Sequence, residues 1–401
     1  MRIEFENGNV IAFLEGRISS SNAQELQSAL SKLRRENAQR ELLIDAENLE
    51  YISSAGLRVL LTVTKEQGRP LTVRNVSPEV YEIFDMTGFT SILNVRKKLR
   101  EFSVEGCEII GRGAIGTVYR VDEDTIVKVY EAPDSIPMIE NEQKRAKQAF
   151  LKGIPTAISY DVVRVGDKYG SVFEMLKATT YNDMMRNAPE RKEELVRAFA
   201  DFMRQVHAVE MEPGELPDMR DVYKGYLERL RALLPEDLHA RLRALIDAMP
   251  ENLHAIHGDF HLKNIMLDGD QPLLIDMETL SVGDPVFDLQ GLFVAYQIFS
   301  EDDPGETETF FGISQELADY ICEQTIEFYF RGCTAAEIAE AKARCRLVAY
   351  VRFLYLINEF GFGSEELTKK RIRHTLERLP ALVETVAALG VAGFADDAIA
   401  R

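Results

Sequence analysis

Cysteine is scarce in this chain of 401 residues, with only Cys107, Cys322, Cys333 and Cys345, none of them in a CxxC spacing. That scarcity argues against a structural zinc site and a disulfide framework, and predicts reduced, mostly buried thiols. Apolar runs of membrane-spanning length are missing. The opening MRIEFENGNV is charged and strand-like rather than a signal peptide. Positive charge is in deficit, 47 Lys and Arg against 66 Asp and Glu, for a net charge of −19. Such a balance argues against a binder of phosphate backbones. It would suit a cationic substrate, although solubility explains it equally well. Internal repeats, low-complexity tracts and a Pro-, Gly- or Ser-rich linker are also absent. What remains is an ordinary globular composition, 46% hydrophobic and 28% charged, long enough for two or three domains. The expectation is a cytoplasmic protein with neither a nucleic-acid nor a membrane partner.

The first hundred residues alternate strand and helix patterns. Arg2–Phe5 and Val10–Leu14 flank a turn at Asn7-Gly8-Asn9 and read as paired strands. Ser19–Asn22 offer a cap to an amphipathic helix bearing Leu26, Leu30 and Leu33. Glu41–Asp45 reads as a short buried strand, Tyr51–Leu61 as a second helix with Ser54 near its start, Leu71–Arg74 as a strand and Glu79–Phe84 as a helix. The alternation predicts a small α/β domain with a mostly parallel sheet.

Leu14-Glu-Gly16, Ile44-Asp45 and above all Leu49-Glu-Tyr-Ile-Ser-Ser-Ala-Gly-Leu-Arg-Val-Leu60 make residues 1–102 resemble the STAS family of anti-sigma factor antagonists. The resemblance implies a protein partner such as an anti-sigma factor, and phosphorylation of the serine that maps onto Ser54. A phosphate there would add nearly two negative charges to a docking face. Sporulation-type members carry acids where this chain has Ser53 and Ser19. Ser53 and Ser54 also read simply as helix N-caps.

From residue 106 the pattern changes. Cys107–Val121 is a hairpin with Gly111, Gly113 and Gly116 in a GxGxxG turn. A β-like run follows it directly, whereas the dinucleotide-binding version opens a helix, so this turn fits a loop that covers nucleotide phosphates. Lys128 stands in the apolar strand Thr125–Tyr130, and Asn141–Phe150 is a helix offering Glu142, or next Glu140, to pair with it. Asp161–Leu176 is a second hairpin, after which residues 181–250 turn helical, with His207 expected as a satisfied core histidine. Then comes the most informative stretch, His257-Gly-Asp-Phe-His-Leu-Lys-Asn264, followed by Leu273-Leu-Ile-Asp-Met-Glu278. Phosphoryl transfer needs a carboxylate to orient and deprotonate a hydroxyl, here Asp259, and hard oxygen ligands for magnesium, here Asn264 and Asp276. Asp288 is expected to brace the loop.

His257-Gly258-Asp259, Asp276-Met-Glu278 and the eleven residues between Asp276 and Asp288, too few for an activation segment, carry a second resemblance. Residues 107–380 resemble the aminoglycoside phosphotransferase/choline kinase family. Lys263 departs from it, since a glycine is frequent there. The resemblance implies an α+β bilobal protein-kinase-like domain over about 106–390, divided near residue 178, that uses ATP and Mg2+ on a small-molecule hydroxyl. It also implies a hinge for adenine around Glu174 and Leu176. The alternative reading is a regulatory partner-switching protein whose kinase-like domain senses nucleotide or phosphorylates Ser54.

Overall fold

The computed structural model describes residues 1–6, 8–113, 115–132, 135–176, 178–269 and 271–394. Asn7 of the expected first turn and Ala114 of the glycine-rich turn lie outside the described residues. The chain gathers into two compact units: Met1–Ser103 with Val162–Asp167, and Val104–Asp161 with the residues from Lys168 onward.

In the first unit, β1 (Arg2–Glu6) pairs antiparallel with β2 (Asn9–Ile18). From there β2, β3 (Leu42–Ile52), β4 (Thr72–Val76) and β5 (Asn94–Lys97) run parallel to one another. Parallel neighbours need long crossovers, which α1 (Ala23–Glu36), α2 (Ser54–Gln67) and α3 (Pro78–Met86) supply. Ile44, Leu60, Val63, Val73, Val80 and Phe84 are sealed between sheet and helices. A short β6 (Arg100–Glu101) closes the segment. The helix expected from Tyr51 starts later, because Tyr51 and Ile52 finish an 11-residue β3 opposite Arg17 and Ile18. Ser53 marks the change: its backbone is extended and its hydroxyl accepts the Gly56 N–H at 3.4 Å, satisfying a donor that the first helical turn leaves open.

The second unit begins with an antiparallel meander of β7 (Glu108–Arg112), β8 (Gly116–Arg120) and β9 (Thr125–Tyr130). Helix α4 (Ile136–Leu151) starts five residues before the expected Asn141, since Pro137 in its first turn has no N–H to leave unpaired. Val163 and Arg164 of β10 (Asp161–Val165) belong to the first unit and pair there with Arg100 and Glu101, and in the second unit β11 (Lys168–Glu174) lines up antiparallel to β9. Among the described residues the strands β12 (Thr179–Thr180), β13 (Ala255–Ile256), the hairpin β14 (Ile265–Asp268) and β15 (Gln271–Leu274), and β16 (Ser281–Val282) interrupt the helical remainder. Its helices are α5 (Tyr181–Asn187), α6 (Lys192–His207), α7 (Met219–Arg229), α8 (Glu236–Asp247), α9 (Val286–Phe293), α10 (Phe299–Asp302), α11 (Glu306–Phe311), α12 (Gln315–Tyr329), α13 (Ala335–Phe360) and α14 (Glu365–Thr385). A β-rich half followed by an α-rich half, with a continuous apolar core under the latter, is the protein-kinase-like order. No helix among the described residues is long and apolar enough to cross a membrane.

Candidate active site

The loop between β13 and β14 carries Asp259 and Asn264, and its shape is enforced from beneath. Asp288, fully buried in the first turn of α9, accepts the His257 N–H at 2.8 Å and the Gly258 N–H at 2.6 Å. Its Oδ2 also meets His207 Nε2 at 2.9 Å, and His207 Nδ1 meets the Tyr329 hydroxyl at 2.8 Å. Both expectations, a bracing Asp288 and a satisfied His207, describe this arrangement. Gly258 has φ of +83°, and a Cβ there would stand 2.8 Å from the Thr279 carbonyl oxygen, so the position excludes side chains. The His257 ring accepts the Asp259 N–H at Nδ1 (3.3 Å), which leaves Nε2 to donate to the Ile275 carbonyl at 3.0 Å. That bond ties this loop to the strand that delivers Asp276.

Asn264 donates its amide N–H to the Asp259 carbonyl oxygen at 3.0 Å and to the Asp259 carboxylate at 3.3 Å. These bonds use its nitrogen and leave the amide oxygen as the atom able to meet a cation. Burial works to raise the Asp259 carboxyl, but His261, Arg352 and His257 outweigh it and hold the group well below the usual carboxylate range. Asp276 adopts a left-handed backbone, φ 63° and ψ 63°, a sparsely populated conformation for a residue with a side chain and one that clusters at functional sites. Its Oδ1 lies 2.9 Å from Lys128 Nζ.

Lys128 sits mid-strand on β9 and also reaches the Glu142 carboxylate of α4 at 3.3 and 3.4 Å. Glu140 is exposed, so Glu142 is the partner. Burial works to lower the lysine, yet the charges of Asp276 and Glu142 prevail and raise it above its ordinary value. Glu142 is itself fixed by Tyr130, whose hydroxyl donates to Oε2 at 2.7 Å and lies 3.3 Å from Ser171 Oγ. Glu278, two residues after Asp276, is pushed up to about 7, by burial first and then by Asp276. Arg145 of α4 donates to its backbone carbonyl.

The three turn glycines differ. A Cβ on Gly116 would stand 2.5 Å from the Val129 carbonyl oxygen, so the close approach of β8 and β9 demands glycine there. Gly111 and Gly113 have room for a side chain, and Gly113 closes the turn by donating to the Gly116 carbonyl at 2.9 Å. Glu174 ends β11, the next amide, Met175 N–H, is taken by the Asp124 carbonyl at 2.8 Å, and Leu176 follows. Lys263 faces neither strand nor loop acid: its Nζ donates to the Phe310 carbonyl at 3.2 Å and stands 4.2 Å above the Phe310 ring. Ser54, in the first unit, is exposed at the first helical position of α2.

Sequence reasoning missed Tyr130, Arg145 and Arg352. Tyr130 had a signal, since it lies two residues beyond Lys128 on the same strand face. Arg352 had one too, a cation inside the apolar run Leu347–Leu354 that is almost fully buried. Arg145, among several charges on α4, had none. Among the described residues no group of three or more His, Cys, Asp or Glu side chains could hold a metal ion by itself. Asn264 and Asp276 each carry side-chain oxygen, a hard donor. Such oxygen suits magnesium, which keeps waters and completes its shell with substrate phosphates.

A model of the phosphotransferase enzyme family matches residues 106–320, and the STAS-domain model matches residues 1–102. A Bordetella bronchiseptica protein named as an anti-sigma factor antagonist, BtrV, is 40% identical over 93 residues, covering 22% of this chain and 78% of that protein. Among solved structures, the aminoglycoside phosphotransferase APH(4)-Ia matches with a TM-score of 0.50 at 14% identity, over 70% of this chain and 94% of that one. A thermostable mutant of that enzyme, in ternary complex with ADP and hygromycin B, gives the same score at 13% identity and the same coverage. At such identities the likeness is one of fold.

Proposed function

The chain belongs to the phosphotransferase enzyme family and carries a STAS domain, and from that premise we propose that it transfers the γ-phosphoryl group of ATP to a hydroxyl of a small molecule. The observation that carries the reading is the convergence of Lys128 on both Glu142 and Asp276, at 3.3 and 2.9 Å, beside a loop that presents Asp259 and Asn264 together. Lys128, steadied by Glu142, positions the α- and β-phosphates, and the turn of Gly111, Gly113 and Gly116 covers them. Backbone groups of Glu174 and Leu176 receive the adenine. Asp259 orients the acceptor hydroxyl and takes its proton as the oxygen bonds to the γ-phosphorus and the bond to the ADP oxygen breaks. Asn264 and Asp276 would hold magnesium, which neutralises charge on the β- and γ-phosphates. The transition state is loose, so positioning and charge compensation supply most of the rate.

The test is ADP release with magnesium and a panel of hydroxylated small molecules. Asp259→Ala and Asp276→Ala should each lose roughly 10²–10⁴-fold in turnover with an unchanged circular dichroism spectrum. A fully active Asp276→Ala chain would remove the magnesium assignment.

A second reading rests on Ser54, exposed at the N-terminal turn of α2, where free N–H groups favour an anion. In it the STAS domain docks on a protein such as an anti-sigma factor, and phosphate on Ser54 releases it. Intact mass after incubation with ATP and magnesium separates the readings. One phosphate gained, dependent on both Ser54 and Asp259, identifies a self-modifying switch, and none gained directs the search to small acceptors.

A further inference from the structure

Arg352 is the one basic side chain in the stretch Leu347–Leu354 of α13, and its side chain is only 10% exposed. A buried cation is costly unless charge and hydrogen bonds answer it. Two direct answers come from the catalytic loop, 93 and 94 residues earlier in the chain: Arg352 donates to the Gly258 carbonyl oxygen and, at 3.1 Å, to Asp259 Oδ1, while Tyr226 and Tyr223 of α7 and the Asp288 carboxylate add to the charge around it. The second carboxylate oxygen, Oδ2, faces Asn264 Nδ2 at 3.3 Å and His261 Nε2 at 3.5 Å. The Asp259 side chain is 42% exposed, so the guanidinium grips it from the protein side and leaves another face open to an acceptor. Gly258, whose backbone is left-handed, has its carbonyl fixed by the same fork. A lysine, with a single point of charge, cannot reproduce a grip on two oxygens of adjacent residues.

We propose that Arg352 is a positioning residue for phosphoryl transfer: by holding Asp259 Oδ1 and the Gly258 carbonyl together, it fixes the rotamer that turns Oδ2 toward the acceptor hydroxyl. This inference rests on the phosphotransferase reading above. It gives α13, far from the catalytic motifs in sequence, control over the geometry of the proton acceptor, and through it over the chemical step rather than nucleotide binding.

The test uses the full chain with magnesium and ATP, and water as the acceptor, so that slow ATP hydrolysis is the readout. Arg352→Met should lower kcat by about 100-fold, the order expected for misplacing a reacting group by an ångström, with KM for ATP changed by less than about twofold. Arg352→Lys should recover part of that loss. In an Asp259→Asn background, Arg352→Met should cost nothing further, because a residue that acts through Asp259 has nothing left to position. The proposal is overturned if Arg352→Met keeps wild-type kcat, if its loss lies in KM, or if the two substitutions multiply. Should Arg352→Met fail to fold, Arg352→Lys carries the test, and an unchanged kcat there is equally fatal. A wild-type chain that binds ATP but hydrolyses none, with every acceptor tried, removes the phosphotransferase reading itself and this inference with it.

Discussion

Replacing Asp288 by alanine removes the acceptor for the His257 and Gly258 amides and the partner of His207 Nε2, at 2.8, 2.6 and 2.9 Å. Asp288 and His257 are fully buried and His207 nearly so, so water cannot step in without opening the core. A buried donor left unpaired costs about 1–3 kcal/mol. Two orphaned backbone amides therefore predict a loss of about 2–6 kcal/mol, offset in part by the desolvation of the carboxylate that alanine no longer requires. Asp288→Asn keeps one carbonyl oxygen and turns an amide nitrogen toward a remaining donor, so it should lose about half as much. The chain contains no tryptophan, so urea unfolding is best followed by far-ultraviolet circular dichroism, with the transition of the larger unit fitted separately. Both variants should also lose turnover by more than they lose ATP affinity, since Lys128 and Glu142 contact neither Asp288 nor its partners. An Asp288→Ala protein within about 0.5 kcal/mol of wild type, with the same slope, would refute the reasoning, because surface substitutions already span that range.

Gly116→Ala should destabilise by about 1–3 kcal/mol, the range of overpacking, as its Cβ would stand 2.5 Å from the Val129 carbonyl oxygen. Gly113→Ala has room, so its melting temperature should stay put while ATP affinity falls, and a fluorescent nucleotide titration reads the difference. Tyr130→Phe removes the 2.7 Å bond to Glu142 and should cost about 1 kcal/mol together with a weaker KM for ATP. Burial raises the Glu323 carboxyl, yet Lys342 at 2.7 Å outweighs it, so the folded value lies below the ordinary one. Its contribution is therefore present above the unfolded value of about 4.3 and disappears as pH falls through the folded one. Glu323→Gln should flatten acid denaturation below that pH, by less than about 1 kcal/mol because the side chain is 39% exposed. Wild type and Glu323→Gln losing stability identically from pH 7 to 3 would remove this pair from the acid-sensitive set.

Much of the fold was legible because period-two and helical patterns in the first hundred residues leave few topologies, and a parallel sheet follows once strands and helices alternate. Strand ends were less so: Tyr51 looked helical until the cap at Ser53 and the pairing opposite Arg17 were seen. The choice between Glu140 and Glu142 turned on helix phase, which spacing in sequence leaves open and packing against β9 decides.

That Asp259 and Asn264 stand side by side was determined by the sequence itself, since a short loop fixes the spacing of groups five residues apart. Tertiary structure alone decided that Asp276 and Lys128 meet across 148 residues, that Tyr130 orients Glu142, and that Arg352 closes on Asp259. A buried charge must find its counter-charge wherever packing brings one within about 3–4 Å, and linear order carries no record of that distance.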